Sequence, residues 1–83
     1  MDISNVFVIL GSDWTKELVI NEIKLEGYKH NFYFSDKNFG KLSMEDEINK
    51  LLMADEIWCF GHCSTIPMYH YAQKNNKDIW RMG

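Results

Sequence analysis

Cysteine is scarce in this chain. Its 83 residues hold 2 cysteines, Cys59 and Cys63, too few to staple a small secreted scaffold. Their C-x-x-x-C spacing also misses the C-x-x-C redox motif, so both are expected as free thiols acting as small apolar side chains. Proline is scarcer still: Pro67 stands alone, and no proline-rich linker divides the chain. No apolar run approaches the roughly 18 to 20 residues that a membrane span needs. Positive charge is in deficit as well. Lys+Arg 9 against Asp+Glu 12 leaves a net charge of -3, which excludes a coating protein for nucleic acid, since that needs a basic face. The opening Met1-Asp2-Ile3-Ser4-Asn5 carries no basic n-region and does not read as a signal peptide, so the expected compartment is the cytoplasm.

What is present is enough for one compact core. The chain is 46% hydrophobic and 14% aromatic, which sets it apart from disordered tails and predicts a single domain over residues 1–83. Val6-Phe7-Val8-Ile9-Leu10 is a continuous apolar run ending at Gly11, the pattern of a strand covered on both faces. Ser12 or Asp13 is then expected to cap a helix with apolar positions Trp14, Leu18, Val19, Ile23 and Leu25, stopped by Gly27. Phe32-Tyr33-Phe34 anchors a second strand over residues 29–35, nearer an edge because polar residues flank it. Ser43-Met44-Glu45-Asp46 resembles a capping box and opens a helix burying Met44, Ile48, Leu51 and Leu52. Ile57-Trp58-Cys59-Phe60 is a strand ending at Gly61; a helix follows over residues 65–75, with Pro67 in its first turn. Asp78-Ile79-Trp80-Arg81-Met82 makes a short last strand.

The order β-α-β-α-β-α-β predicts an α/β fold: a small doubly wound, mostly parallel sheet of about four strands with helices on both faces, flavodoxin- or Rossmann-like. Ligands of such sheets bind at the carboxyl ends of the strands, near the topological switch point. Two of those ends are Gly11-Ser12-Asp13 and Gly61-His62-Cys63-Ser64, each preceding a helix N-terminus whose free N–H groups favour anions.

The stretch Ala54-Asp55-Glu56-Ile57-Trp58-Cys59-Phe60-Gly61, with residues 64–72 and Lys77-Asp78-Ile79-Trp80, resembles the nucleoside 2-deoxyribosyltransferase-like superfamily, in particular its small phage and bacterial members. The resemblance spans nearly the whole chain, with its specific part in roughly the last thirty residues. It implies an open α/β fold and a pocket for a nucleoside, a nucleotide or an ADP-ribose-like sugar. Enzymes of that family attack the anomeric carbon with a helix glutamate four residues before an alanine. Counting back from Ala72, that position holds Met68, and a thioether cannot supply the carboxylate of a glycosyl intermediate. A second family carboxylate would fall on Glu47. The loop between Gly61 and Pro67 is also shorter than in the resembling members. The implied function is a non-catalytic nucleotide binder, in a phage setting a sponge for a signal such as a cyclised ADP-ribose. The alternatives are an active N-glycosidase or transferase using Glu47 or another acid, and a protein-binding adaptor.

The expected ligand-binding residues are Gly11, Ser12, Asp13, Trp14, Glu47, Gly61, His62, Ser64, Thr65 and Met68, with no catalytic residue, metal or cofactor. Trp14 could stack on a base or simply open the apolar stripe of its helix. Ser12 and Asp13 could hold ribose hydroxyls or cap that helix; Ser64 and Thr65 face the same choice with a phosphate. A zinc site from Cys59, His62, Cys63 and His70 fits no usual ligand spacing. A phosphatase-like Cys63 would need an arginine clamp, and Arg81, the one arginine, lies far along the chain. Five methionines and the aromatic residues Tyr69, Tyr71 and Trp80 exceed what so small a core can cover, so a homo-oligomer is expected.

Overall fold

The computed structural model describes residues 3–35 and 45–82. Four strands and three helices alternate: β1 (Asn5–Leu10), α1 (Lys16–Glu26), β2 (Asn31–Phe34), α2 (Glu45–Met53), β3 (Glu56–Phe60), α3 (Pro67–Lys74) and β4 (Ile79–Arg81). The sheet order is β2-β1-β3-β4, and every neighbouring pair is parallel. The α/β expectation therefore holds, down to the number of strands and the edge position of β2.

Alternation along the two central strands divides the core into two layers. Phe7, Ile9, Ile57 and Cys59 face the layer built by Leu51 and Ala54 at α2 and by Met68, Tyr69 and Ala72 of α3. Val6, Val8, Leu10, Trp58 and Phe60 face the other, where Val19 of α1 is buried with Trp14 and Ile23 against it. One helix thus covers one face and two cover the other. The chain leaves β1 toward the α1 face and β3 toward the α3 face, so the switch point lies between the carboxyl ends of these two strands.

Three local readings need correction. Helix α1 is capped by Thr15, whose side chain accepts from the Leu18 N–H at 3.2 Å, and not by Ser12 or Asp13. The intervening residues form a turn, closed from Trp14 N–H to Gly11 C=O at 3.4 Å, with Asp13 at φ 69°. A helix beginning at Lys16 turns Val19 and Ile23 inward and leaves Leu18 and Leu25 exposed. In α2, Leu51 is buried while Leu52 is exposed, and Glu47 takes a place on the inner face. Ser43 and Met44 lie outside the described residues. In α3 the N-cap is Ile66, whose side chain makes no capping bond, so Ser64 and Thr65 are not its cap. Gly27 does end α1 in the left-handed conformation, φ 74°, as its position predicts.

Replacing Thr15 by alanine should cost about 1 kcal/mol, the ordinary worth of an N-cap hydroxyl. Thermal unfolding checks this, with Ser12→Ala as a control that leaves the melting temperature within about a degree because Ser12 is exposed and caps nothing.

Candidate functional site

The two glycine loops meet at the switch point. Gly11 N–H donates to Phe60 C=O at 2.6 Å, which carries the pairing of β1 with β3 one residue past the strands. At Gly11 an added Cβ would lie 2.6 Å from Phe60 O and 2.7 Å from His62 N. At Gly61, φ +82°, it would lie 2.5 Å from Ser12 O and 2.9 Å from Trp14 Cδ1. Both loops are therefore built around missing side chains, and the backbone of one lies on the backbone of the other.

Beside this junction is a small cleft, about 40 Å³, lined by Cys59, Gly61, His62, Cys63, Ser64, Tyr69 and Arg81. Of the residues expected from sequence, Gly61, His62 and Ser64 reach it. Ser12, Asp13 and Thr65 are exposed outside its lining. Trp14 is half-buried, its ring packed on Phe60 with centroids 4.9 Å apart. Met68 is 0% exposed, inside the layer between α3 and the sheet, and Glu47 is 2% exposed beneath α2. The structure thus splits the expected set into a cleft group, a loop-junction group and two core residues.

Arg81, Tyr69, Cys59 and Cys63 enter the cleft from four places. Arg81 is the register partner of Cys59 across β3 and β4, which brings the lone arginine beside the β3 terminus. Its Nη2 donates to the Tyr69 hydroxyl at 3.1 Å, and Gln73 Nε2 donates to the same oxygen at 3.4 Å. Cys63 folds back under the loop, its Sγ 3.7 Å from both Ile9 O and Phe60 O. The two thiols act on each other's protonation. The influence of Cys59 holds the Cys63 thiol below its ordinary range against the opposing effect of burial; a Phe60 backbone hydrogen bond and the Arg81 charge help. The influence of Cys63, with burial, pushes the Cys59 thiol up, against the pull of Arg81. Both cysteines are free and buried, as their scarcity predicted.

A larger cavity, about 260 Å³, lies elsewhere, lined in part by Asn5, Asn31, Tyr33, Lys50 and Met53. Asn5 and Asn31 begin their strands, so this cavity is at the amino ends, away from the switch point. Its two amides already pair, Asn31 Nδ2 donating to Asn5 Oδ1 at 3.2 Å. Size favours this cavity, which also carries the Lys50 charge; position favours the cleft, which lies at the carboxyl ends of the central strands, where parallel sheets hold their ligands.

Sequence reasoning missed Tyr69 and Arg81. The usable signal was the alignment of two parallel strands ending together, which would have placed Arg81 opposite Cys59. Among the described residues no helix is long and apolar enough to cross a membrane, and no group of three or more His, Cys, Asp and Glu side chains is placed to hold a metal ion. No protein-family model matches the chain, and no match is found among curated proteins or solved structures.

Proposed function

We propose that this chain is a small nucleoside- or nucleotide-binding protein that does not turn its ligand over. The observation that carries the reading is the position of Met68, 0% exposed at the place where the resembling enzymes have their attacking glutamate. A residue sealed in the core neither touches a sugar nor attacks one. Binding is supported by the cleft at the switch point, where Arg81, Ser64 and His62 bring one fixed charge and several polar groups together. A cleft of about 40 Å³ is too small for a nucleotide, since ligand pockets typically run from roughly 300 Å³ upward. Only an anionic oxygen of the ligand enters it, and the sugar and base lie across the rim or against a second copy of the chain. The overall charge of -3 makes the ligand's grip local. Sequestration of a nucleotide signal such as a cyclised ADP-ribose suits a binder without turnover.

Calorimetry with ADP-ribose, cyclised ADP-ribose and cyclic nucleotides tests this. One of them should bind, Arg81→Gln should weaken it about tenfold through loss of a charge-assisted contact, and chromatography should recover it intact. Silence across the series defeats the reading, and release of a free base defeats its non-catalytic half. A second reading, a protein-binding adaptor, is favoured by Trp80, 53% exposed on the edge strand β4. Melting curves discriminate it: a melting temperature that no nucleotide raises supports the adaptor.

A further inference from the structure

The cleft holds two thiols that nucleotide binding does not use. Both are buried and line it together, one at the end of β3 and one in the loop four residues on, with an arginine hydrogen-bonded to a tyrosine hydroxyl in the same lining. Buried cysteines set in apolar surroundings are inert; a thiol pair that shares a polar cleft with a guanidinium is not in that class. We propose that Cys59 and Cys63 form an intrachain dithiol–disulfide couple oxidised by small hydroperoxides, with Cys63 the attacking sulfur and Cys59 the resolving one.

The roles follow from placement. Cys63 sits in the loop after β3, outside the strand pairing, and the influence of Cys59 on it favours an anion. Cys59 is held in the sheet by the pairing of Ile9 with Cys59 and of Cys59 with Arg81. The oxidant class follows from volume. About 40 Å³ admits a molecule near the size of water, whose share of the liquid is roughly 30 Å³, and not a peptide disulfide. Hydrogen peroxide fits, and Arg81 can donate to its leaving oxygen.

The steps balance. Cys63, having given up its proton, attacks one peroxide oxygen; an S–O bond forms, the O–O bond breaks, and the departing hydroxide takes that proton as water. Cys63 is now a sulfenic acid, oxidised by two electrons, and the peroxide is reduced by two. Cys59 then attacks the Cys63 sulfur; the S–S bond forms, the S–O bond breaks, and the second hydroxide leaves with the Cys59 proton as water. Loss of the Cys63 anion in the first step removes one of the influences that raise the Cys59 thiol, which frees it for the second. Two thiols and one hydrogen peroxide give one disulfide and two waters. Formation of the bond draws the Cys63 sulfur away from Ile9 O and Phe60 O and so alters the cleft wall.

The inference is independent of the nucleotide reading, and its test contains no nucleotide. Intact-mass spectrometry of the whole folded chain after one equivalent of hydrogen peroxide should show a loss of about two mass units, reversed by dithiothreitol, with the bridge mapped to Cys59 and Cys63. The folded chain should react at least about tenfold faster than the chain unfolded in guanidinium, and oxidised glutathione at equal concentration should lag by at least a similar factor. Cys59→Ser should stop at a sulfenic acid trapped on Cys63 by dimedone, and Cys63→Ser should leave Cys59 unreacted. The proposal is overturned if both thiols survive excess peroxide, if the folded chain reacts no faster than the unfolded one, or if the product is a disulfide between chains. The folded-against-unfolded comparison uses the unaltered protein, so it decides the matter even if a serine variant fails to fold.

Discussion

Gly61→Ala lowers the melting temperature by roughly 15 to 25 °C, or prevents folding. Two effects add. The backbone at Gly61 has φ +82°, where an L side chain costs about 1 to 2 kcal/mol. The new methyl would also stand 2.5 Å from Ser12 O and 2.9 Å from Trp14 Cδ1. Ser12 O is backbone, fixed by its place in the loop after β1, and overpacking of this kind costs about 1 to 3 kcal/mol. A combined loss of about 3 to 4 kcal/mol is a large share of a total that is 5 to 15 kcal/mol for ordinary domains and low in that range for small ones. At this length each kcal/mol moves the melting temperature by about 4 to 8 °C. Gly11→Ala should be similarly severe, since its methyl would meet Phe60 and His62 backbone atoms at 2.6 to 2.8 Å. Gly27→Ala supplies the control. Its φ of +74° carries the same strain with nothing within 4 Å, so about 1 kcal/mol is expected. Calorimetric scans of the three variants separate conformational strain from collision. Equal losses at Gly61 and Gly27 would mean that the two switch-point loops do not touch as described.

That result bears on the site because the glycine junction fixes where the cleft residues stand. The Gly11-to-Phe60 hydrogen bond and the bare Cα of Gly61 let the loops close on each other, and His62, Cys63 and Ser64 follow from there. Gly61 is therefore a residue of the scaffold that shapes the cleft, in addition to lining it.

Much of the fold is legible in the residues, and the reasons are specific. Continuous apolar runs at Val6 to Leu10 and Ile57 to Phe60 announce strands buried on both faces, and they are the two central strands. Phe32-Tyr33-Phe34, flanked by polar residues, falls at the edge. The start of α1 is not legible in the same way. Ser12, Asp13 and Thr15 are all competent caps, and the choice among them is made by the left-handed turn at Asp13, a conformation that aspartate tolerates without announcing. The buried side of α2 misleads for a related reason. Periodicity assigns apolar residues inward, whereas the helix places Glu47 inward and leaves Leu52 outside.

The cleft is legible in location and less so in membership. Strand ends carrying glycine mark the switch point, and Gly61, His62 and Ser64 do line a cleft there. Arg81 and Tyr69 join through tertiary register, Arg81 across from Cys59 and Tyr69 one turn into α3, which no spacing within either segment encodes. Met68 went the other way. A family pattern points to its position, whereas its environment comes from how α3 rolls against Phe7, Ile9 and Leu51.

Met68→Glu should therefore not create a glycosidase; it should unfold the domain. Restoring the carboxylate of the resembling enzymes would place it where the side chain is 0% exposed, within a layer of Phe7, Ile9, Leu51, Ile57 and Ala72. Burying an unpaired carboxylate costs several kcal/mol whether it stays charged or takes up a proton at neutral pH. The thioether's packing is lost in addition, and truncating a buried methionine to alanine alone costs about 2 to 5 kcal/mol. For a domain of this size the sum rivals the whole stability. Met68→Leu conserves volume and should cost less than about 1.5 kcal/mol, leaving any nucleotide affinity unchanged because the residue touches no ligand. Circular dichroism melts of the two variants, with chromatography of a nucleoside panel after incubation, form the test. A Met68→Glu protein that melts like the parent and releases free base would put residue 68 in an open pocket and defeat the proposal of binding without turnover. Unfolding in Met68→Glu beside a normal Met68→Leu would make the methionine a core residue, closed to any substrate by the way α3 packs on the sheet.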